Sequence, residues 1–86
     1  MNKIDYILEN YSDENILSAD GFDDAIIGYA EKSGRVIYSV TKCIEILCLE
    51  MSEEDAWDHF GFNVEGSYVG EKTPIWCHDD VVLYNI

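Results

Sequence analysis

Hydrophobic side chains recur at three- and four-residue intervals in three stretches of the chain, and this spacing is typical of amphipathic helices. The first stretch is residues 2–11 (NKIDYILENY) and the second is residues 41–51 (TKCIEILCLEM). The third begins at Ser52, which can cap a helix and is followed by three acidic residues suited to a first turn. Gly61 is predicted to end this third helix.

Shorter apolar runs, rich in β-branched and aromatic residues, predict strands. Residues 25–30 (AIIGYA) and 35–40 (RVIYSV) flank the loop residues 31–34 (EKSG), and this arrangement predicts a β-hairpin. Three further runs are candidates for short strands: residues 16–19, 74–77 and 81–84. The pattern as a whole predicts a single α+β domain over residues 1–86. Its small antiparallel sheet would consist of the hairpin and a C-terminal strand, with two or three helices packed on one face.

The composition supports a folded domain with a strongly negative surface charge. Hydrophobic residues make up 48% of the 86 residues, which is enough for a core and argues against intrinsic disorder. Eighteen Asp and Glu against five Lys and Arg give a net charge of −13. Such a surface repels phosphate, so direct binding to nucleic acid or to an anionic membrane is disfavoured, whereas a basic protein is attracted. The alternative is that the charge only maintains solubility.

Cysteine usage and hydropathy indicate the compartment. Cys43 and Cys48 share a predicted helix and Cys77 is distant, so the three cysteines show no disulfide framework. The first residues contain no apolar leader, and no run approaches the roughly 18 apolar residues of a membrane span. We therefore expect a cytoplasmic protein with reduced thiols.

Two clusters have side chains that could bind a metal ion. Asp20, Asp23 and Asp24 are the ligand type for Mg²⁺ or Ca²⁺, but their spacing does not match an EF-hand, and a turn with solvated carboxylates is favoured. Cys77-His78-Asp79-Asp80 offers adjacent residues that would point to opposite sides of a strand, which disfavours zinc. No catalytic residue, metal or cofactor is predicted, and the chain is not expected to be an enzyme.

The segment of residues 70–76 (GEKTPIW) is predicted to be a structural turn leading into the C-terminal strand. Gly70 gives the backbone freedom to turn, and Pro74 keeps the residue before it extended. The side chains that could serve a partner here are Glu71, Lys72 and, if it is exposed, Trp76.

Two motifs, DGFDDAIIG at residues 20–28 and GEKTPIW at residues 70–76, resemble a group of small bacteriophage and prophage proteins. The likeness covers roughly residues 14–78. Between the two motifs it includes the predicted strand that contains Tyr38, the helix after that strand, and residues 56–63. The group has no established activity, so the resemblance implies a phage setting and no mechanism. Phage genomes carry many small acidic proteins that inhibit host defence by imitating the charge of nucleic acid, and the composition of this chain is analogous.

The leading hypothesis is a phage-type accessory protein that binds a basic host protein in the host cytoplasm and inhibits it. That partner would be a nucleic-acid-handling or defence protein. The candidate partner-binding residues are Glu50, Glu53, Glu54, Asp55, Asp58, Glu71 and Trp76.

Two alternatives stay open. The first is a small metal- or ligand-binding protein or enzyme that uses Asp20, Asp23 and Asp24. The second is a structural or assembly component of the virion, in which the sheet edge or the Trp76 region makes a homo-oligomer contact.

Overall fold

The computed structural model describes residues 3–11 and 16–80, which form helices packed against a three-stranded sheet. In chain order the elements are α1 (Lys3–Asn10), a 3-10 turn (Asp23–Ala25), β1 (Ile26–Ala30), β2 (Arg35–Ser39), α2 (Val40–Leu47), α3 (Glu53–His59), a π-helical segment (Phe60–Glu65) and β3 (Ile75–Cys77). The predicted α+β class is confirmed. The strand predicted at residues 81–84 lies outside the described residues.

The hairpin of β1 and β2 forms where the sequence predicts it. The two strands pair antiparallel from Ile26 opposite Tyr38 to Ala30 opposite Arg35, with one irregularity after Ile26. In the connecting turn Gly34 has a φ of 69°, a conformation that residues with a Cβ rarely adopt. Its amide donates to the carbonyl of Ala30 at 2.8 Å.

The third strand corrects the prediction of an all-antiparallel sheet. β3 pairs in parallel with β2, placing Trp76 beside Tyr38 and Cys77 beside Ser39, so the sheet is mixed and β2 is its central strand. A parallel pair needs a long crossover connection. The chain between Ser39 and Ile75 supplies one, because it contains α2, α3 and the π-helical segment.

Tyr38 lies at the centre of the core and is fully buried. Its ring contacts the indole of Trp76, with the ring centroids 4.9 Å apart. The ring of Phe60 meets the same indole edge-on, with the centroids 5.4 Å apart. The hydroxyl of Tyr38 accepts a hydrogen bond from the Ala19 amide at 2.7 Å. The prediction of a short strand at residues 16–19 is wrong. This segment is irregular, and the amide of Ala19 donates to a side chain instead of to a neighbouring strand.

Helices α2 and α3 each begin after a serine cap, but the third predicted helix does not end where the sequence predicts. Ser39 Oγ accepts from the Lys42 amide at 3.1 Å and Ser52 Oγ accepts from the Asp55 amide at 3.2 Å. The prediction that Gly61 ends the third helix is wrong, since the helical path continues to residue 65 as π-helix. Phe60 is buried and Val64 packs against the core, and these contacts outweigh the helix-ending tendency of glycine. None of the helices in the described ranges is long and apolar enough to cross a membrane.

Candidate functional site

Helix α3 and the turn before it present a dense group of exposed acidic side chains. Ser52 caps the helix, and the next three residues, all acidic, fill its first turn. Ala56 is fully buried and Trp57 is half-buried, which fixes the face of α3 that packs inward. Five carboxylate side chains are left exposed to solvent: Glu50, Glu53, Glu54, Asp55 and Asp58. We call these five residues the acidic face.

Little positive charge is available to neutralise the acidic face. Residues 43–71 contain eight Asp and Glu and no Lys or Arg. Three of the basic side chains donate to backbone carbonyls elsewhere: Lys3 to Ile26 at 2.6 Å, Arg35 to Thr73 at 2.5 Å and Lys72 to Ser33 at 3.1 Å. No described residue forms a salt bridge with a carboxylate of the acidic face.

Glu71 lies on a different segment from the acidic face. It belongs to a turn closed by the Thr73 amide and hydroxyl, which donate to the Gly70 carbonyl at 3.1 and 2.6 Å. Gly70 has a φ of 115°, as the predicted turn requires. Lys72 joins this turn to the hairpin loop through Ser33. Glu71 is exposed there, on a turn attached to the sheet and not to α3.

Trp76 is half-buried, so the exposure that a partner contact would require is only partly met. Its ring packs between Tyr38 and Phe60. The indole nitrogen is buried and has no hydrogen-bond partner among the described residues. The main contacts of this side chain are therefore with the core.

The acidic stretch of residues 20–24 forms the predicted turn. The Phe22 amide donates to the Ala19 carbonyl at 3.2 Å, and Asp23 and Asp24 begin the 3-10 turn. Within the described ranges, no group of three or more His, Cys, Asp or Glu side chains is arranged to hold a metal ion.

Cys77, at the end of β3, and the next two residues, His78 and Asp79, lie in three different surroundings. Cys77 is half-buried in the strand, and His78 contacts the carboxylate of Glu65. Asp79 accepts hydrogen bonds from the hydroxyl of Ser39 and the amide of Thr41. These bonds, led by that from Ser39, lower the pKa of Asp79 to about 2. This stretch therefore joins the end of β3 to the start of α2 through Asp79.

A surface groove beside the acidic face was not predicted from the sequence. It has a volume of about 530 Å³ and lies between α2, α3 and the residues after β3. Six residues that line it are Ile44, Glu45, Cys48, Glu53, Trp57 and Asp80. We call this the Trp57 groove.

Part of the Trp57 groove is visible in the sequence pattern. Ile44 on α2 and Cys48 at its C-terminal cap are four residues apart and lie on one side of the helix, and Glu53 and Trp57 are related in the same way on α3. The position of Asp80 depends on the parallel pairing of β3, which no local pattern encodes.

Comparison with known proteins gave no match to any family model, curated protein or solved structure. Fold alone does not define function, which depends on the chemistry of the residues at the surface.

Proposed function

We propose that this protein binds a basic partner through its acidic face and thereby inhibits a host nucleic-acid-handling or defence protein in the host cytoplasm. The observation that carries the proposal is the set of exposed carboxylates on and before α3 for which no described residue is a salt-bridge partner. The phage resemblance of the two motifs supplies the host setting.

The arrangement of acids on α3 has a local cost. Glu54 and Asp58 are four residues apart on the exposed side, and a like-charge pair at this spacing destabilises a helix by a few tenths of a kcal/mol. A binding role for the carboxylates accounts for an arrangement that helix stability alone does not favour.

A basic partner would gain from this surface in two ways. Its approach would be steered by the net charge of −13, and the association would weaken as salt screens the field. Carboxylates at helical spacing would also occupy the positions that nucleic-acid phosphates take on such a partner. Binding would then compete with nucleic acid.

The test is affinity capture from a bacterial lysate at low and at moderate salt. The bait is the full chain, compared with a Glu54→Lys/Asp58→Lys double variant. A Glu9→Lys/Glu31→Lys variant is the matched control, since both residues are exposed, lie on α1 and in the hairpin loop, and change the net charge equally. We expect basic proteins to be captured by the wild type and the control and lost with the double variant, most clearly at low salt. The same captured set with all three baits would contradict the proposal.

A further inference from the structure

The Trp57 groove combines an apolar wall with carboxylates contributed by three separate segments. Ile44 is 6% exposed and forms part of the wall together with the half-buried ring of Trp57. Glu45 on α2, Glu53 at the start of α3 and Asp80 after β3 are all exposed around it. The groove is therefore amphipathic in cross-section, with apolar side chains and an aromatic face beside negative charge.

Among the residues that the structure describes, no Lys or Arg lines this groove. The volume of about 530 Å³ lies within the range of sites that hold small ligands or peptide side chains. Charge complementarity therefore defines the occupant as cationic. The apolar wall further requires an occupant with a long hydrocarbon portion.

We propose that the Trp57 groove receives an arginine side chain presented by a short basic segment of the partner. The inference rests on the proposed function for the basic character of that partner. The hydrocarbon stem of the arginine packs along Ile44 and the ring of Trp57, as long cationic side chains do on apolar surfaces. The guanidinium then lies at the rim, where Glu45, Glu53 and Asp80 supply carboxylate acceptors.

Arginine suits this site better than lysine. Its planar guanidinium stacks on an aromatic face and donates to a carboxylate through two N–H groups at once. A lysine ammonium is a compact, strongly hydrated charge that cannot make this double contact. Arginine is also among the residues enriched at the energetic centres of protein interfaces.

The experiment is a titration of the isotope-labelled full chain with a short peptide of alternating arginine and glycine, followed by NMR at roughly physiological ionic strength. The indole N–H signals of Trp57 and Trp76 are the readout, and a Trp57→Phe variant assigns them. We expect the Trp57 signal to shift with the peptide. The Trp76 signal should remain, because its indole nitrogen is buried. An unmoved Trp57 signal would overturn the inference.

A matched pair of variants separates the groove from general charge attraction. Glu45→Gln/Glu53→Gln removes two rim carboxylates, and Glu9→Gln/Glu31→Gln removes the same charge from exposed positions that do not line the groove. We expect the first pair to weaken peptide binding about tenfold and the second less than about twofold. Equal weakening by both pairs would overturn the inference, and an equally tight lysine–glycine peptide would overturn the assignment to arginine. Melting curves confirm that each variant is folded.

The groove and the proposed function can fail separately. Glu54 and Asp58 do not line the groove. If the peptide does not bind while capture from lysate still depends on these two residues, the groove inference is wrong and the proposed function stands. If the peptide binds in the groove while no variant changes the captured proteins, the groove inference stands and the proposed function is wrong.

Discussion

Asp79 accepts a hydrogen bond from the hydroxyl of Ser39, a residue 40 positions earlier in the chain, with 2.5 Å between Oγ and Oδ2. Its other oxygen accepts from the Thr41 amide at 3.0 Å. Ser39 Oγ in turn accepts from the Lys42 amide. The residues after β3 thus complete the N-terminal cap of α2 with a carboxylate, and the positive end of the helix dipole favours that charge.

We predict that Asp79 makes folding stability dependent on acid pH. The two hydrogen bonds lower its pKa from 3.8 to about 2, so the folded state favours the carboxylate relative to the unfolded chain. The stabilisation is complete well above pH 3.8 and is lost as the pH falls from 3.8 to about 2. Asp79→Asn should remove this part of the pH dependence and lower the free energy of unfolding near neutral pH by about 1 kcal/mol.

The measurement is urea unfolding at a series of pH values. Asp80→Asn is the control, because it removes the same charge one residue further on, where no described hydrogen bond involves the side chain. If Asp79→Asn and the wild type lose stability in parallel between neutral pH and pH 2, the capping role of this carboxylate is refuted.

Local signals in the sequence account for the elements that form where they were predicted. Gly34 encodes the turn at residues 31–34. Ser39 and Ser52 encode the starts of α2 and α3, because their hydroxyls accept hydrogen bonds from amides three residues further on. Each of these features involves neighbours in sequence, so the residue types alone determine them. The exposure of the acids on α3 follows in the same way from the inward position of Ala56.

The features that were missed depend on distant residues. The direction of β3 is determined by where α2 and α3 return the chain, and the irregular path of residues 16–19 depends on the Tyr38 hydroxyl that binds Ala19. Gly61 favours a helix end locally, but the packing of Phe60 and Val64 carries the helix past it. The Trp57 groove was missed for the same reason, because one of its carboxylates comes from Asp80 after the crossover.

Trp76 should contribute mainly to stability. Its ring contacts both Tyr38 and Phe60, so we expect Trp76→Ala to lower the free energy of unfolding by about 3 kcal/mol. Phe62→Ala is the control, since Phe62 is 84% exposed and its loss should change stability by less than about 0.5 kcal/mol. Chemical denaturation measures both values. Equal small effects would show that the core contacts of Trp76 contribute little to stability.

The cysteines should differ in reactivity. Cys43 is fully buried, and burial, with a smaller contribution from the Asp79 charge, raises the pKa of its thiol to about 12. Cys48, at the C-terminal cap of α2, is exposed to solvent. Because the thiolate is the reactive form, an alkylating reagent at mildly alkaline pH should modify Cys48 at least about a hundredfold faster than Cys43. Peptide mass spectrometry measures the two rates, and comparable rates in the folded protein would contradict the prediction.

Asp58→Lys and Glu54→Lys should affect stability differently although they change the net charge equally. Both side chains are exposed on α3 and stand four residues apart. Asp58→Lys replaces a like-charge pair with an acid-before-base pair to Glu54, the more favourable order on a helix. Glu54→Lys creates the reverse, weaker pair and places a cation near the positive end.

We therefore expect Asp58→Lys to raise the free energy of unfolding by about 0.5 kcal/mol, or the Tm by about 3 °C, and Glu54→Lys to change it by less than half as much. Thermal unfolding at low ionic strength measures the difference, which should shrink as salt screens the charges. Equal stabilisation by both variants would mean that relief of the overall net charge of −13 dominates. The local arrangement of carboxylates on α3 would then carry no cost of its own, and a binding role for these residues would lose its energetic basis.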